Sequence, residues 1–401
     1  MQCQEIIMKH HLHPIFFTGK VPVLDFFTEQ LIKEARALKM EYHVCDWNDP
    51  DSRCSDAFYE FLKQEGVFLF TFNNVGVKLL EEDENLWERY GIPVFDMLVD
   101  HPRNFEDALL HPIKDLHLIC SDRKHVEYAR EYYPELASVS FMPHGGTVSA
   151  DPLSYEKRPI DVLYTGSCQP EIQNLPEISV FRDGGRDYFA QTIRLLFSQP
   201  SLTTEEAIRI YIEATGYQAS PGDPLLRQLN EKTAGYIEAT VRRFYKQALM
   251  RLLDQAGIRV EVYGSGWEAS DYSYGETIRF HPWTTSEECN ALAGQAKLLL
   301  NFLPWFKDGC SERVFNNMLG GGICLTDESP YLKERFTDGR ELIFFSLGNL
   351  PQLAADISWL LDHPKEASHI AETGFHAAKA HDTWGHRLRQ ICGMAEQIIS
   401  R

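Results

Sequence analysis

The sequence of 401 residues holds no long apolar run; stretches such as Leu298 to Phe306 fall far short of the roughly 20 residues a membrane-spanning helix needs. Its opening, MQCQEIIMKHHLHPIFF, has no apolar core of the kind a secretion signal carries. The nine cysteines are odd in number, scattered, and nowhere spaced as CxxC. That excludes a disulfide framework, a zinc ribbon or a redox dithiol, and suits reduced thiols in a cytoplasmic protein. Positive charge is scarce as well. Thirty-nine basic residues against 58 acidic ones give a net charge of −19, a field that repels polyphosphates and argues against nucleic acid or anionic membrane as the main partner. Familiar catalytic signatures are missing too. FFTGK at Phe16 to Lys20 has Pro14 where a P-loop needs glycine and Val21 where it needs Ser or Thr, and YGSGW at Tyr263 to Trp267 is no nucleophile elbow. His10, His11 and His13 sit in a short tail, and Asp49-Pro50-Asp51 only mimics a metal-binding DxD, so no metal site is expected.

What is present is ordinary globular composition, 44% hydrophobic and 24% charged, in a chain long enough for two or three cores. From Pro14 short apolar runs alternate with stretches of helical period: PIFFTG, Val21 to Leu38, EYHVCDW, GVFLFTF, Val75 to Arg89, GIPVFDMLVD, LHLICSD, Arg123 to Tyr133 and SVSFMPHG. Such alternation predicts βαβ units and a parallel sheet over residues 1–150. A polar, proline-bearing stretch from Gly145 to Pro159 reads as a linker. Beyond it the pattern restarts with DVLYTGS, IRVEVYGSGW, TIRFHPW, KLLLNFLP, ICLTD and ELIFFS, which predicts a second parallel α/β domain over 151–375. Residues 169–235 read as a helical insertion before a helix from Tyr236, and 376–401 as a C-terminal helix packing back on the first domain. Two doubly wound domains imply a cleft walled by their strand C-termini, where ligands bind.

SERVFNNMLGGGICLTD, Ser311 to Asp327, combines a helix with an anion site. Ser311 is a good N-cap, Asp308 and Gly309 precede it, and the free amides of 309–313 with the forked donor of Arg313 suit phosphate. Glu312, Arg313, Asn316 and Asn317 are spaced to share a stripe near the helix start, which reads as ligand-facing or as a solvated face. Gly320 to Gly322 end the helix and read as packing glycines rather than a phosphate cradle.

The run ERVFNNMLGGGICLTDESPYLKERFTDGRELIFF resembles the C-terminal signature of group 1, family 4-like glycosyltransferases, particularly their spore-maturation CgeB-like branch. GIPVFDMLVDHP, RPIDVLYTGS, IRVEVYGSGW and HDTWGHR agree in order and spacing, so the resemblance touches most of the chain outside 169–235. It implies a GT-B fold, with a nucleoside-diphosphate sugar (UDP- or GDP-type) as donor, no cofactor and no metal. The acceptor would be a hydroxyl of a glycan, lipid-linked or protein molecule. In the family an acid lies eight positions before a glutamate that holds the donor ribose. Those positions are Asp308 and Asn316 here, an amide that still hydrogen-bonds vicinal hydroxyls. The resemblance further implies the pyrophosphate at Gly166 and Ser167 and the base beside His281, Pro282 and Trp283.

In the first half, Asp100 and His101 follow the apolar run VFDMLV, where a strand's C-terminal end opens. A carboxylate beside an imidazole orients a donor sugar or accepts the acceptor's proton, unless His101-Pro102 only shapes a turn capped by Asp100. His144 reads as a linker or hinge residue, and Gly19 as a point where a sugar approaches the backbone. Arg313 would assist departure of the diphosphate. A nucleotide-sugar epimerase of the same fold and a catalytically silent nucleotide-sugar-binding protein are the rival readings.

Overall fold

In a computed structural model, residues 12–172, 174–176, 178, 181, 184–302 and 305–400 are described. His10 and His11 lie outside them. The chain divides into two compact units. One runs to Thr147 and includes Thr285–Glu287 and the stretch from Ala380; the other comprises Val148–Thr284 and Glu288–Lys379.

The first unit is built on six parallel strands, β1 (His13–Thr18), β2 (His43–Asp46), β3 (Val67–Phe72), β4 (Val94–Leu98), β5 (Leu116–Cys120) and β6 (Ser138–Phe141), in the order β2-β1-β3-β4-β5-β6. VFLFTF and LHLIC are buried at every position, as expected of strands covered on both faces. Ile15, Leu69, Val94 and Leu116 stand abreast across the sheet, all fully buried. Each contributes about 1.5–3 kcal/mol of burial, so register is strongly fixed. Helix Pro22–Ala37 follows β1 and packs against the C-terminal helix Trp384–Ile399, with the Phe27 and Trp384 rings 5.1 Å apart. A buried ion pair within this unit, Arg387 to Asp382 at 2.9 Å, also donates from Arg387 Nε to His144 O, fastening HDTWGHR to the segment after β6.

Val75 to Arg89 departs from the helix its period predicts. Asn73, Asn74 and Gly76 adopt left-handed backbone, Glu82 and Asp83 do likewise in a tight two-stranded turn, and only Leu86–Tyr90 is helical. Successive positive φ values cannot propagate a right-handed helix.

The second unit repeats the layering with β7 (Ile160–Thr165), β8 (Val260–Tyr263), β9 (Ile278–His281), β10 (Ala296–Leu300), β11 (Ile323–Asp327) and β12 (Ile343–Phe345), ordered β9-β8-β7-β10-β11-β12 and parallel throughout. Between β7 and β8 come helices Arg186–Ser198, Thr204–Ala214 and Pro224–Gln255. The last begins twelve residues before Tyr236, because Asp223 caps it through Leu225 N–H (2.9 Å) and Pro224 occupies the first turn. Its first turns belong to the segment read as insertion.

Candidate functional site

In each sheet the strand order reverses once, and the loops leaving the two strands at that point diverge, opening a crevice at their C-terminal ends. In the second unit these strands are β7 and β10. β7 ends at Thr165, followed by Gly166 and Ser167.

The helix Glu312–Leu319 presents its N-terminus here. Ser311 caps it, its Oγ accepting Arg313 N–H at 3.3 Å, while Val314, Phe315, Met318 and Leu319 bury the opposite side. That anchoring fixes Arg313, whose Nη1 donates to Thr165 O at 3.0 Å and whose Nε lies 3.8 Å from Glu312 Oε1. With Nη1 on a carbonyl and Nε beside a carboxylate, the guanidinium's remaining N–H groups suit an anion.

A second cation sits beneath the same loop. Lys246, on the long helix, is buried, and its Nζ donates to Ser167 O at 2.6 Å and to Gln169 Oε1 at 3.2 Å. Burial first, then the neighbouring charges of Arg242 and Arg313, push its ammonium down to about 7. Arg242 lies over the Trp305 ring at 4.2 Å, and Arg243 Nη2 donates to Ala269 O at 2.9 Å. Sequence reading missed Lys246. The available signal was a lysine on the apolar face of an otherwise amphipathic helix, beside Tyr245, Leu249 and Met250.

The loops after β7 and β8 are laced together. Ser167 Oγ accepts Ser265 N–H at 3.1 Å, and Trp267 Nε1 donates to Gly166 O at 3.0 Å. Gly264 permits this, since a Cβ there would lie 2.5 Å from Gly166 O, and Gly266, at φ +82°, lies against Cys168 O. On the other side of Ser265 opens a pocket of about 700 Å³, lined chiefly by Trp267, Tyr272, Tyr274, Phe280, His281 and Trp283. Trp283 is 62% exposed and Phe280 38%, high values for large apolar rings. His281 stacks on Tyr263, centroids 4.3 Å apart, with Nε2 at 2.5 Å from Glu261 Oε2. Pro282 is exposed between them.

The stripe expected on the signature helix is split. Glu312, Arg313 and Asn316 are half-buried, whereas Asn317 is 6% exposed and turns into the sheet, its Nδ2 3.4 Å from Leu299 O. Asp308 is half-buried, and Gly309, buried, gives its carbonyl to Ser329 Oγ at 2.8 Å. Gly320 and Gly322 press on Ala293 and Leu299, and Gly320 O accepts from the buried Arg158 Nη2 at 2.8 Å.

In the first unit the order reverses between β1 and β3. Gly19 has φ +85°, and the place of a Cβ there is taken by the side chains of Asp46 and Asn48. After β3, Asn73 receives Val99 N–H on Oδ1 and donates Nδ2 to Asp100 Oδ2, both at 2.9 Å. Asp100 is thus exposed but held. His101 Nδ1 accepts Arg103 N–H at 3.1 Å, capping the turn Pro102–Phe105, and its ring lies 4.4 Å from that of His125. With Nδ1 accepting, a neutral ring carries its proton on Nε2. Beneath the crevice Asp96, fully buried, accepts Asn74 N–H at 3.0 and 3.1 Å, and burial pushes its carboxyl up to about 7. The acid inside the apolar run VFDML was its sequence signal. His144 is buried, its ring 5.9 Å from that of Phe27.

Asp49 accepts Asp51 N–H to cap a short turn. Among the described residues no three His, Cys, Asp or Glu side chains are grouped to hold a metal ion, and no helix is long and apolar enough to cross a membrane.

Residues 242–393 match a family model described as glycosyl transferase-like. No curated protein is similar to the chain. Among solved structures, sucrose-phosphate synthase from Thermosynechococcus elongatus aligns over 97% of this chain and 99% of its own, with TM-score 0.55 at 12% identity. T4 phage β-glucosyltransferase aligns over 96% and 99%, with TM-score 0.52 at 11% identity. A glycosyltransferase from Rickettsia africae aligns over 97% and 99%, with TM-score 0.50 at 8% identity. At such identities the likeness establishes the fold, the two-sheet GT-B architecture. The family match begins within the long helix of the second unit and runs into the C-terminal helix, and it agrees with that fold in pointing to glycosyl transfer.

Proposed function

We propose that the protein transfers a sugar from a nucleoside-diphosphate sugar to a hydroxyl of a glycan, lipid-linked or protein acceptor, in the cytoplasm, and that it belongs to the CgeB-like branch its motifs resemble. The observation that carries this reading is the end of β7 and the Gly166–Ser167 loop after it, held by Arg313 at Thr165 O and by Lys246 at Ser167 O beside an aromatic pocket. A diphosphate gains charge as the glycosidic bond breaks, and preorganised donors stabilise that charge more than they stabilise the ground state. Arg313 and the loop of Gly166 and Ser167, through the Ser167 amide since Gly166 N–H is spent on Tyr263 O at 2.8 Å, are assigned to the diphosphate, Asn316 to the ribose, and the pocket to the base. T4 phage β-glucosyltransferase, which shares the fold, has been solved with UDP-glucose, in keeping with a nucleotide-sugar donor.

Asp100 is assigned as the group that accepts the acceptor's proton, because Asn73 fixes one of its oxygens and leaves the other exposed to bind a hydroxyl. His101 orients as a donor. Titration calorimetry with a panel of nucleoside diphosphates tests the donor site: binding in the micromolar to millimolar range is expected, and no binding of any diphosphate refutes it. Incubating a bound nucleotide sugar alone and following it by NMR separates transfer from epimerisation, since an epimerised product without acceptor identifies the rival enzyme.

A further inference from the structure

We infer that the pocket beside β9 takes a guanine base and that Glu268 selects it, so that the donor is a guanosine-diphosphate sugar. The inference rests on the donor-site reading above and names the base that reading leaves open.

Ser265 touches Ser167 with both its backbone N–H and its hydroxyl, and it also lines the pocket, so the aromatic surface begins one residue contact from the loop assigned to the diphosphate. Trp283 and Phe280 line it and are exposed, Phe280 stacked on Trp267, so the pocket offers aromatic surface of the kind on which a planar base stacks. Stacking tolerates any base; the polar groups must discriminate. Most of those lining the pocket already have protein partners. Tyr272 OH donates to Asp254 at 3.0 Å, Ser270 Oγ meets Tyr274 OH at 3.5 Å, and His281 Nε2 faces Glu261 at 2.5 Å. Glu268 lines the same pocket, is exposed, and makes no hydrogen bond or ion pair among the described residues.

An ionised carboxylate only accepts, and it accepts best from two parallel N–H groups. Guanine offers that pair in N1–H and its exocyclic amine. Uracil offers one N–H flanked by two carbonyl oxygens that the carboxylate repels, and adenine pairs one amine with an unprotonated ring nitrogen. The volume, about 700 Å³, admits a purine.

The test is calorimetric titration of the full chain with GDP, UDP and ADP, for the wild type, Glu268→Gln and Glu268→Ala, with circular dichroism confirming that the variants fold. GDP is expected to bind at least about tenfold tighter than UDP or ADP, and both variants to lose most of that preference with UDP affinity changed less than about twofold. Equal losses for GDP and UDP would place Glu268 on the ribose and overturn the inference, as would tighter binding of UDP. In either case diphosphates still bind and the donor-site reading stands. Absence of binding by all three overturns both.

Discussion

The crevices of the two units are made alike but furnished differently, one with acids and the other with basic side chains on its loop. In each, six parallel strands reverse order once and a pair of loops diverges. Beside that point, on β4 and the turn after it, the first unit offers acids, the buried Asp96 and the exposed Asp100, set by the asparagines 73 and 74. The second offers the cations Arg313 and Lys246 around a loop of small residues. Sheet topology decides where a ligand can approach; the few side chains admitted at the strand ends decide what it is.

The sharpest way to break this comparison is at Asp100. Asp100→Asn keeps the hydrogen bond with Asn73 but removes the proposed base, so transfer should slow about 10²–10⁴-fold with donor affinity unchanged. A fall of less than tenfold in a steady-state assay would free the first unit of this role and favour a mechanism without a protein base. In the second unit, Arg313→Ala should weaken nucleoside-diphosphate binding by about 1.5–3 kcal/mol, the worth of a charged hydrogen bond. Unchanged calorimetric affinity would move the phosphates elsewhere.

The buried groups sharpen the contrast through stability, and their signs are opposite. Asp96 is raised from 3.8 to about 7 on folding, so the folded chain keeps a proton that the unfolded chain releases. Stability therefore falls as pH rises from about 4 to 7, by at most about 1.4 kcal/mol per pH unit. Asp96→Asn should remove that loss, and its advantage in urea denaturation should be about 2 kcal/mol greater at pH 8 than at pH 5. Lys246 is lowered from 10.5 to about 7, so the folded chain holds fewer protons than the unfolded one above that value, and stability rises with pH from about 7 to 10.5. An anion bound at the loop favours the ammonium, so diphosphate affinity should fall about three- to tenfold from pH 6.5 to 8.5, and this dependence should flatten in Lys246→Gln. A wild-type affinity flat over that range would detach Lys246 from the site.

Much of the fold was legible because buried parallel strands are written as near-continuous apolar runs. Each run read as a strand, from PIFFTG to ELIFF, corresponds to one of the twelve strands. Val75 to Arg89 misled because its period is helical while its left-handed asparagines and the Glu82-Asp83 turn leave no chemical trace comparable to glycine. Asn316 and Asn317 are adjacent letters, yet one is half-buried on the helix and the other is pressed into the sheet, since 100° of helical rotation separates them.

The sequence by itself determined the twelve strands, their division into two parallel sheets, the N-cap at Ser311 and the glycines that end its helix. These follow from local periodicity and local backbone preference, which act within a few residues. Only the tertiary structure decided that Lys246 reaches the loop 79 residues before it, that Asn73 holds Asp100 across 27 residues, and that Glu268 shares a pocket with Trp283. Such pairings depend on which strands lie side by side, and strand order is set by the packing of whole layers rather than by any single segment.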